Sequence, residues 1–141
     1  MPAKSTSSAV AATKPQDEKI TINLGYVDLG QIDLLVQEGF YANRSDLIRT
    51  AVRNQLLAHA DALRQAVARK TLVLGIQHFG AAELRAAKAA GQMLQIRVLG
   101  LATIAHDVTP ALALATIESV VVLGALRAPA AVKAALASRI R

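Results

Sequence analysis

Lys19-Ile20-Thr21-Ile22-Asn23-Leu24 decides how this chain is read. These six residues alternate strictly, with Ile20, Ile22 and Leu24 on one face and Lys19, Thr21 and Asn23 on the other. The pattern predicts a strand with one face for a core and one for polar partners. A lone strand has no ladder for its backbone N–H and C=O groups, and the following residues up to about position 70 offer no second strand. Its natural partner is the same strand of another copy. Two copies paired antiparallel make a ribbon about as wide as a helix, a shape that the major groove of B-DNA admits. Lys19, Thr21 and Asn23 then face base edges. Lysine can donate to guanine O6 and N7, asparagine can pair bidentately with adenine N6 and N7, and threonine offers a hydroxyl and a methyl. Alternation alone equally describes an amphipathic edge strand with a solvated face, and a second motif tips the balance.

That motif is Asn43-Arg44-Ser45-Asp46, an N-cap residue with an acid three positions on, opening a long helical pattern. A helix start of this kind presents free N–H groups to a phosphate. Leu47, Ile48, Ala51, Val52, Leu56 and Leu57 follow at helical spacing, with Arg44, Arg49 and Arg53 largely off the stripe. Between strand and cap, Leu29, Ile32, Leu35 and Val36 give a first helix an apolar face, and Gly39 is placed to end it. Capping by itself carries no functional weight; strand plus cap at this separation does.

Residues 18 to about 57 resemble the ribbon-helix-helix superfamily, close to its CopG-type branch, in which a Ser-Arg-Ser-Glu-Leu-Ile-Arg-like segment opens the second helix. Here that segment reads Asn43-Arg44-Ser45-Asp46-Leu47-Ile48-Arg49. The resemblance implies an intertwined dimer, base reading by Lys19, Thr21 and Asn23, and phosphate anchoring by the backbone at Asn43, Arg44 and Ser45. Ile20, Ile22, Leu24, Leu47, Ile48, Ala51 and Val52 are the expected dimer core. Two departures stand out: many relatives carry proline just after the strand where this chain has Gly25, and Gly30 interrupts the first helix at about 1 kcal/mol relative to alanine. A unit of about forty residues buries too little apolar surface to stand alone, so a partner chain must complete its core.

Composition adds less. The chain is basic, net +6, but residues 1–70 carry nine Lys/Arg against seven Asp/Glu and residues 71–141 seven against three, so the excess is not concentrated on the reader. Cysteine is absent, which excludes disulfides, thiolate metal sites and cysteine nucleophiles and fits a cytoplasmic protein. Residues 1–17 are rich in Ser, Ala, Thr and Lys and lack an apolar h-region, so they read as a disordered basic arm, with Lys4 and Lys14 available to phosphates. No apolar run is long enough to span a membrane.

The second half is organised differently. Val73-Leu74-Gly75, Val98-Leu99-Gly100 and Val122-Leu123-Gly124 recur at steps of 25 and 24 residues, each followed by an Ala-rich segment. Helices are predicted over residues 81–90, 110–117 and 129–138, the second opened by Thr109 and Pro110. Helical spacing through Leu57, Ala60, Leu63 and Val67, without Pro or Gly, extends the second helix into a stalk. The expected fold is therefore an α+β ribbon-helix-helix unit, intertwined as a dimer, over residues 18–70, then a small α/β domain of three strand-helix repeats, solenoid-like, over residues 71–141. Single repeats cannot bury a core, so they stack. The last repeat has few polar capping residues, which points to association of repeats through Val98, Leu99, Val120, Val122 and Leu123, or to a sensing role.

The functional expectation is a sequence-specific regulator binding double-stranded DNA, a repressor, acting as a homodimer that assembles into higher homo-oligomers, with no membrane partner. A DNA-organising or plasmid-partition protein and the antitoxin of a toxin-antitoxin pair are the alternatives, so a toxin or small-molecule partner stays open. No catalytic constellation is visible: Asp107 and Glu118 lie on different segments, and Ser45 belongs to a helix start. No cofactor is expected, since no Gly-rich phosphate loop or paired carboxylates occur. His59, His78 and His106 invite comparison with nickel-responsive members of the superfamily, but without cysteine or close spacing they carry no metal site.

Overall fold

The computed structural model describes residues 17–141. The arm expected over residues 1–17, with Lys4 and Lys14, lies outside the described residues except for Asp17.

Residues 19–24, the expected strand, belong to no ladder in the single chain, and Ile20, Ile22 and Leu24 are 78, 55 and 42% exposed. Three helices follow: α1 (Tyr26–Gln37), α2 (Arg44–Ala58) and α3 (Ala60–Arg69). Gly39 ends α1 as expected, because its φ of +84° is open to glycine. In that conformation its N–H donates to the Val36 carbonyl at 3.1 Å and the Phe40 N–H to the Leu35 carbonyl at 3.0 Å, satisfying two helix-end acceptors. The cap of α2 also forms: the Asn43 Oδ1 accepts from the Asp46 N–H at 2.8 Å, and the Asp46 Oδ2 accepts from the Ala42 N–H at 3.0 Å, one residue short of the reciprocal box.

The continuous stalk is corrected. Helical geometry breaks at His59 (φ −103°, ψ 14°), whose N–H donates to the Leu56 carbonyl at 3.2 Å, so α2 and α3 are separate helices. The turn after α3 uses Thr71 at φ +52°, an uncommon place for a β-branched residue. It is held there by the Thr71 N–H to the Ala68 carbonyl (3.1 Å) and the Leu72 N–H to the Val67 carbonyl (3.0 Å), and Leu72 is the first buried residue of the described chain.

From there the chain alternates strand and helix: β1 (Val73–Phe79), α4 (Ala81–Ala89), β2 (Leu94–Ile104), α5 (Pro110–Thr116), β3 (Ile117–Arg127) and α6 (Ala130–Ala135). The strands form one parallel sheet in the order β1-β2-β3. The helices expected over residues 81–90 and 110–117 are present and each one residue shorter, while that expected over 129–138 is cut to the six residues of α6. The three Val-Leu-Gly triplets lie side by side, Val73 opposite Val98 opposite Val122 and Gly75 opposite Gly100 opposite Gly124. Glycine is required at two of these rungs. Gly100 and Gly124 have φ of +140° and +118°, and a Cβ on either would collide with the carbonyl oxygen of the preceding glycine in the row. The shorter second step comes from the connection through α5, which is shorter than that through α4, while a register irregularity at Leu94 and Gln95 puts one extra residue, Glu118, into β3.

Leu84, Ile96, Val98, Ile117, Val120, Val132 and Leu136 are fully buried between the sheet and its helices. Asp107 finds its role here, its Oδ1 accepting from the Ala81 N–H at the start of α4 at 3.3 Å. Residues 139–141 run beside β3, with the Val120 N–H donating to the Arg139 carbonyl at 2.9 Å and the Arg141 N–H to the Val120 carbonyl at 2.8 Å. The start of the last strand's outer edge is thus covered by the chain itself. The Arg139 guanidinium ties the same region together, donating to the Leu114 and Ile117 carbonyls, each at 2.7 Å.

The halves differ in one decisive respect. Among the described residues every buried one lies at position 72 or beyond; none of residues 17–71 is buried.

Candidate nucleic-acid interface

Lys19, Thr21 and Asn23 are exposed on the unpaired segment before α1. Residues 17–20 run along the first turns of α2, and Lys19 and Ile20 line one groove with Ser45, Ile48, Arg49, Val52 and Arg53. The structure thus brings an expected base-reading residue, Lys19, and an expected phosphate anchor, Ser45, to the same groove. Helix geometry leaves the N–H groups of Arg44 and Ser45 without intrahelical acceptors, while the Asn43 side chain takes that of Asp46. Free donors at a helix N-terminus favour an anion there.

Arg44 has a second connection that the sequence did not reveal. Its Nε and Nη2 donate to the two carboxylate oxygens of Asp33 at 2.7 and 2.8 Å, a bidentate pair joining α1 to the first turn of α2. Hydrogen bonding to Arg44, with its positive charge, holds the Asp33 carboxyl below the usual carboxylate range. Both side chains stay about half exposed, so the pair fixes the helix-helix angle more than it adds stability. Asp33 is eleven residues before Arg44, and no local spacing rule links them. The only available signal was an acid on α1 next to its apolar stripe.

The expected dimer-core residues share a property in the single chain: none is buried. Ile20, Ile22, Leu24, Ala51 and Val52 are exposed, and Leu47 and Ile48 are half-buried. The residues expected to mediate oligomerisation divide. Val98 and Val120 are fully buried in this chain's own core and Val122 packs against it, so these three are corrected to core positions. Leu99, half-buried, and Leu123, 49% exposed, lie on the opposite face of the sheet.

The histidines are scattered. His59 contacts the Gln55 side chain, the His78 Nδ1 lies 2.6 Å from the Thr103 hydroxyl, and His106 sits in the loop before α5. Among the described residues no three His, Cys, Asp or Glu side chains converge, and no helix is long and apolar enough to cross a membrane.

A family model described as the ribbon-helix-helix transcriptional regulator family matches residues 15–133. The chain belongs to that family. The match starts before the ribbon segment and runs through β3 into α6, so it takes in the parallel sheet, whereas the resemblance read from the sequence stopped near residue 57 and left the C-terminal half unrecognised. No curated protein and no solved structure matches the chain.

Proposed function

We propose that this chain is a sequence-specific transcriptional repressor that reads the major groove with a β-ribbon formed by residues 19–24 of two copies. Lys19, Thr21 and Asn23 contact bases, the N-terminus of α2 at Asn43, Arg44 and Ser45 anchors phosphates, and the C-terminal repeats associate copies further. The observation that carries the reading is the absence of any buried residue from 17 to 71, although Ile20, Ile22, Leu24 and Val52 are all large and apolar. Apolar groups in such number seek a second chain, and an unpaired alternating segment supplies the ladder through which one joins. Among the alternatives, the antitoxin reading is the less favoured, because the C-terminal half has a packed core of its own where a toxin-binding segment that folds on contact would not.

The test is a comparison of the full-length protein with its Asn23→Ala variant on duplexes selected from a random pool and on unselected duplex. The variant is expected to lose discrimination at one or two base positions, roughly 1 to 3 kcal/mol each, and to keep its affinity for unselected DNA. Unchanged base preference would remove the ribbon from the DNA interface.

A further inference from the structure

One face of the sheet is covered by α4, α5 and α6, and the other is flanked only at its margin, by the end of α3. The covering helices pack against Ile96, Val98, Val120 and their neighbours, while the other face carries Leu74, Leu99 and Leu123 in one row and Ile76, Leu101 and Ala125 in the next. Leu74 is 74% and Ile76 58% exposed. Parallel sheets are almost always covered on both faces, since strands of this kind are apolar on both.

We propose that this open face is covered by the open face of a second copy of the same chain. The inference rests on the self-associating ribbon-helix-helix reading above and names the surface through which the C-terminal half takes part.

Continuity is the first argument. The Arg97 Nε, on the open side of β2, donates to the Lys70 carbonyl at 2.9 Å and holds the end of α3 against this side of the sheet. The resulting concavity has a nearly wholly apolar wall, with Leu56, Leu63 and Val67 from the helices facing Leu74 and Leu99 from the sheet. Asp17 and Glu18, at the root of the ribbon segment, border both the groove along α2 and the open face itself. The ribbon, the unburied stripe of α2 and α3 and the open face therefore form one surface, and a copy that pairs with the first is already beside the last.

Area is the second argument. The chain exposes 10651 Å², where a compact monomer of 14.8 kDa exposes about 7000 Å². The sixteen residues outside the described span contribute at most roughly 2400 Å² of the difference. An excess of about 1000 Å² or more per chain is left over the ribbon, the helices α1 to α3 and the open face together, enough for these to form one interface of the roughly 800 Å² per partner that a standard stable contact buries. Chemistry settles the occupant. Leucine and isoleucine rows offer nothing to phosphates, and a segment dominated by Ser, Thr, Lys and Ala, as residues 1–16 are, matches them poorly. The same rows on a second copy match them by symmetry.

The cysteine-free sequence makes the test direct. Leu123→Cys places a single thiol on the open face and Ala134→Cys a control thiol on the exposed side of α6. Each full-length variant is titrated with a colorimetric disulfide reagent across protein concentration, with mass by light scattering and DNA binding measured on the same samples. The same pair in an Ile22→Ala background brings dissociation into range should the parent assembly be too tight to dilute apart. The expected result is labelling of Leu123→Cys at least tenfold slower than the control while the protein is associated, rising to the control rate in step with the fall in mass. Fast labelling in an associated, DNA-binding protein would overturn the inference and leave the ribbon reading standing. Protection that persists in the dissociated chain would assign the face to the chain's own residues 1–16 and overturn it equally. A protein that neither associates nor binds DNA would bring down the ribbon reading and this inference with it.

Discussion

Ile22→Ala tests whether the ribbon segment is a dimer surface. Ile22 is 55% exposed in the single chain, and full burial of an isoleucine is worth about 1.5 to 3 kcal/mol. The share still to be gained on pairing is then about 1 to 1.5 kcal/mol per chain, most of which alanine forfeits. A two-fold ribbon carries the substitution twice, so the dimer should weaken by about 2 to 3 kcal/mol, or roughly 30- to 150-fold in dissociation constant. Loss of complementary packing in a formed interface would push the figure higher. The assay is sedimentation equilibrium over a dilution series of wild type and variant, with circular dichroism to show that the buried sheet core is intact. Thr21→Ala, on the opposite face of the same segment, is the control and should leave dissociation unchanged. Equal dissociation constants for wild type and Ile22→Ala, or an equal effect of the two substitutions, would refute the assignment of the Ile20, Ile22, Leu24 face to a partner chain.

Two further expectations concern the fold. Gly100→Ala should destabilise the sheet by about 2 to 4 kcal/mol in a urea titration, combining an unfavourable φ of +140° with a Cβ driven into the Gly75 carbonyl, whereas Gly39→Ala, with open space around it, should cost only about 1 kcal/mol. Similar losses at the two sites would contradict the close approach of β1 and β2. The Asp33–Arg44 pair predicts a pH dependence with a definite sign: the Asp33 pKa is lowered in the folded chain, so its contribution is complete above the ordinary carboxylate value and is lost as pH falls through the lowered one, below 3.8. The stability difference between wild type and Asp33→Asn should therefore be level near neutral pH and vanish in acid; a difference that persisted at low pH would deny the pair its role.

The sequence disclosed what is local. The alternation at residues 19–24, the Asn43 cap, the Gly39 terminus and the recurring Val-Leu-Gly triplets each depend on neighbours a few residues apart, and the last three appear in the structure where they were expected. What escaped was set by contacts across the chain. No proline or glycine announces the break at His59, and a threonine occupies the left-handed position that glycine usually marks at Thr71. Val98 and Val120 were assigned to a surface because strands apolar on both faces, with Ile96 and Val98 on one side of β2 and Leu99 and Leu101 on the other, do not declare which side the helices will cover. Asp33 was missed because its partner lies beyond a turn.

The row of glycines divides the C-terminal half into parts that can change length and parts that cannot. Gly75, Gly100 and Gly124 stand side by side although the stretches between them differ by one residue, since the connecting helix and the strand entry absorb the difference. An insertion in the α4 or α5 connection should be tolerated, while one between a triplet and the rest of its strand would bring a side chain against a neighbouring carbonyl. The half is therefore built as cassettes. A copied block of 24 or 25 residues would meet its neighbours through the same backbone contact as the existing ones, so the sheet could be widened strand by strand without redesigning any rung.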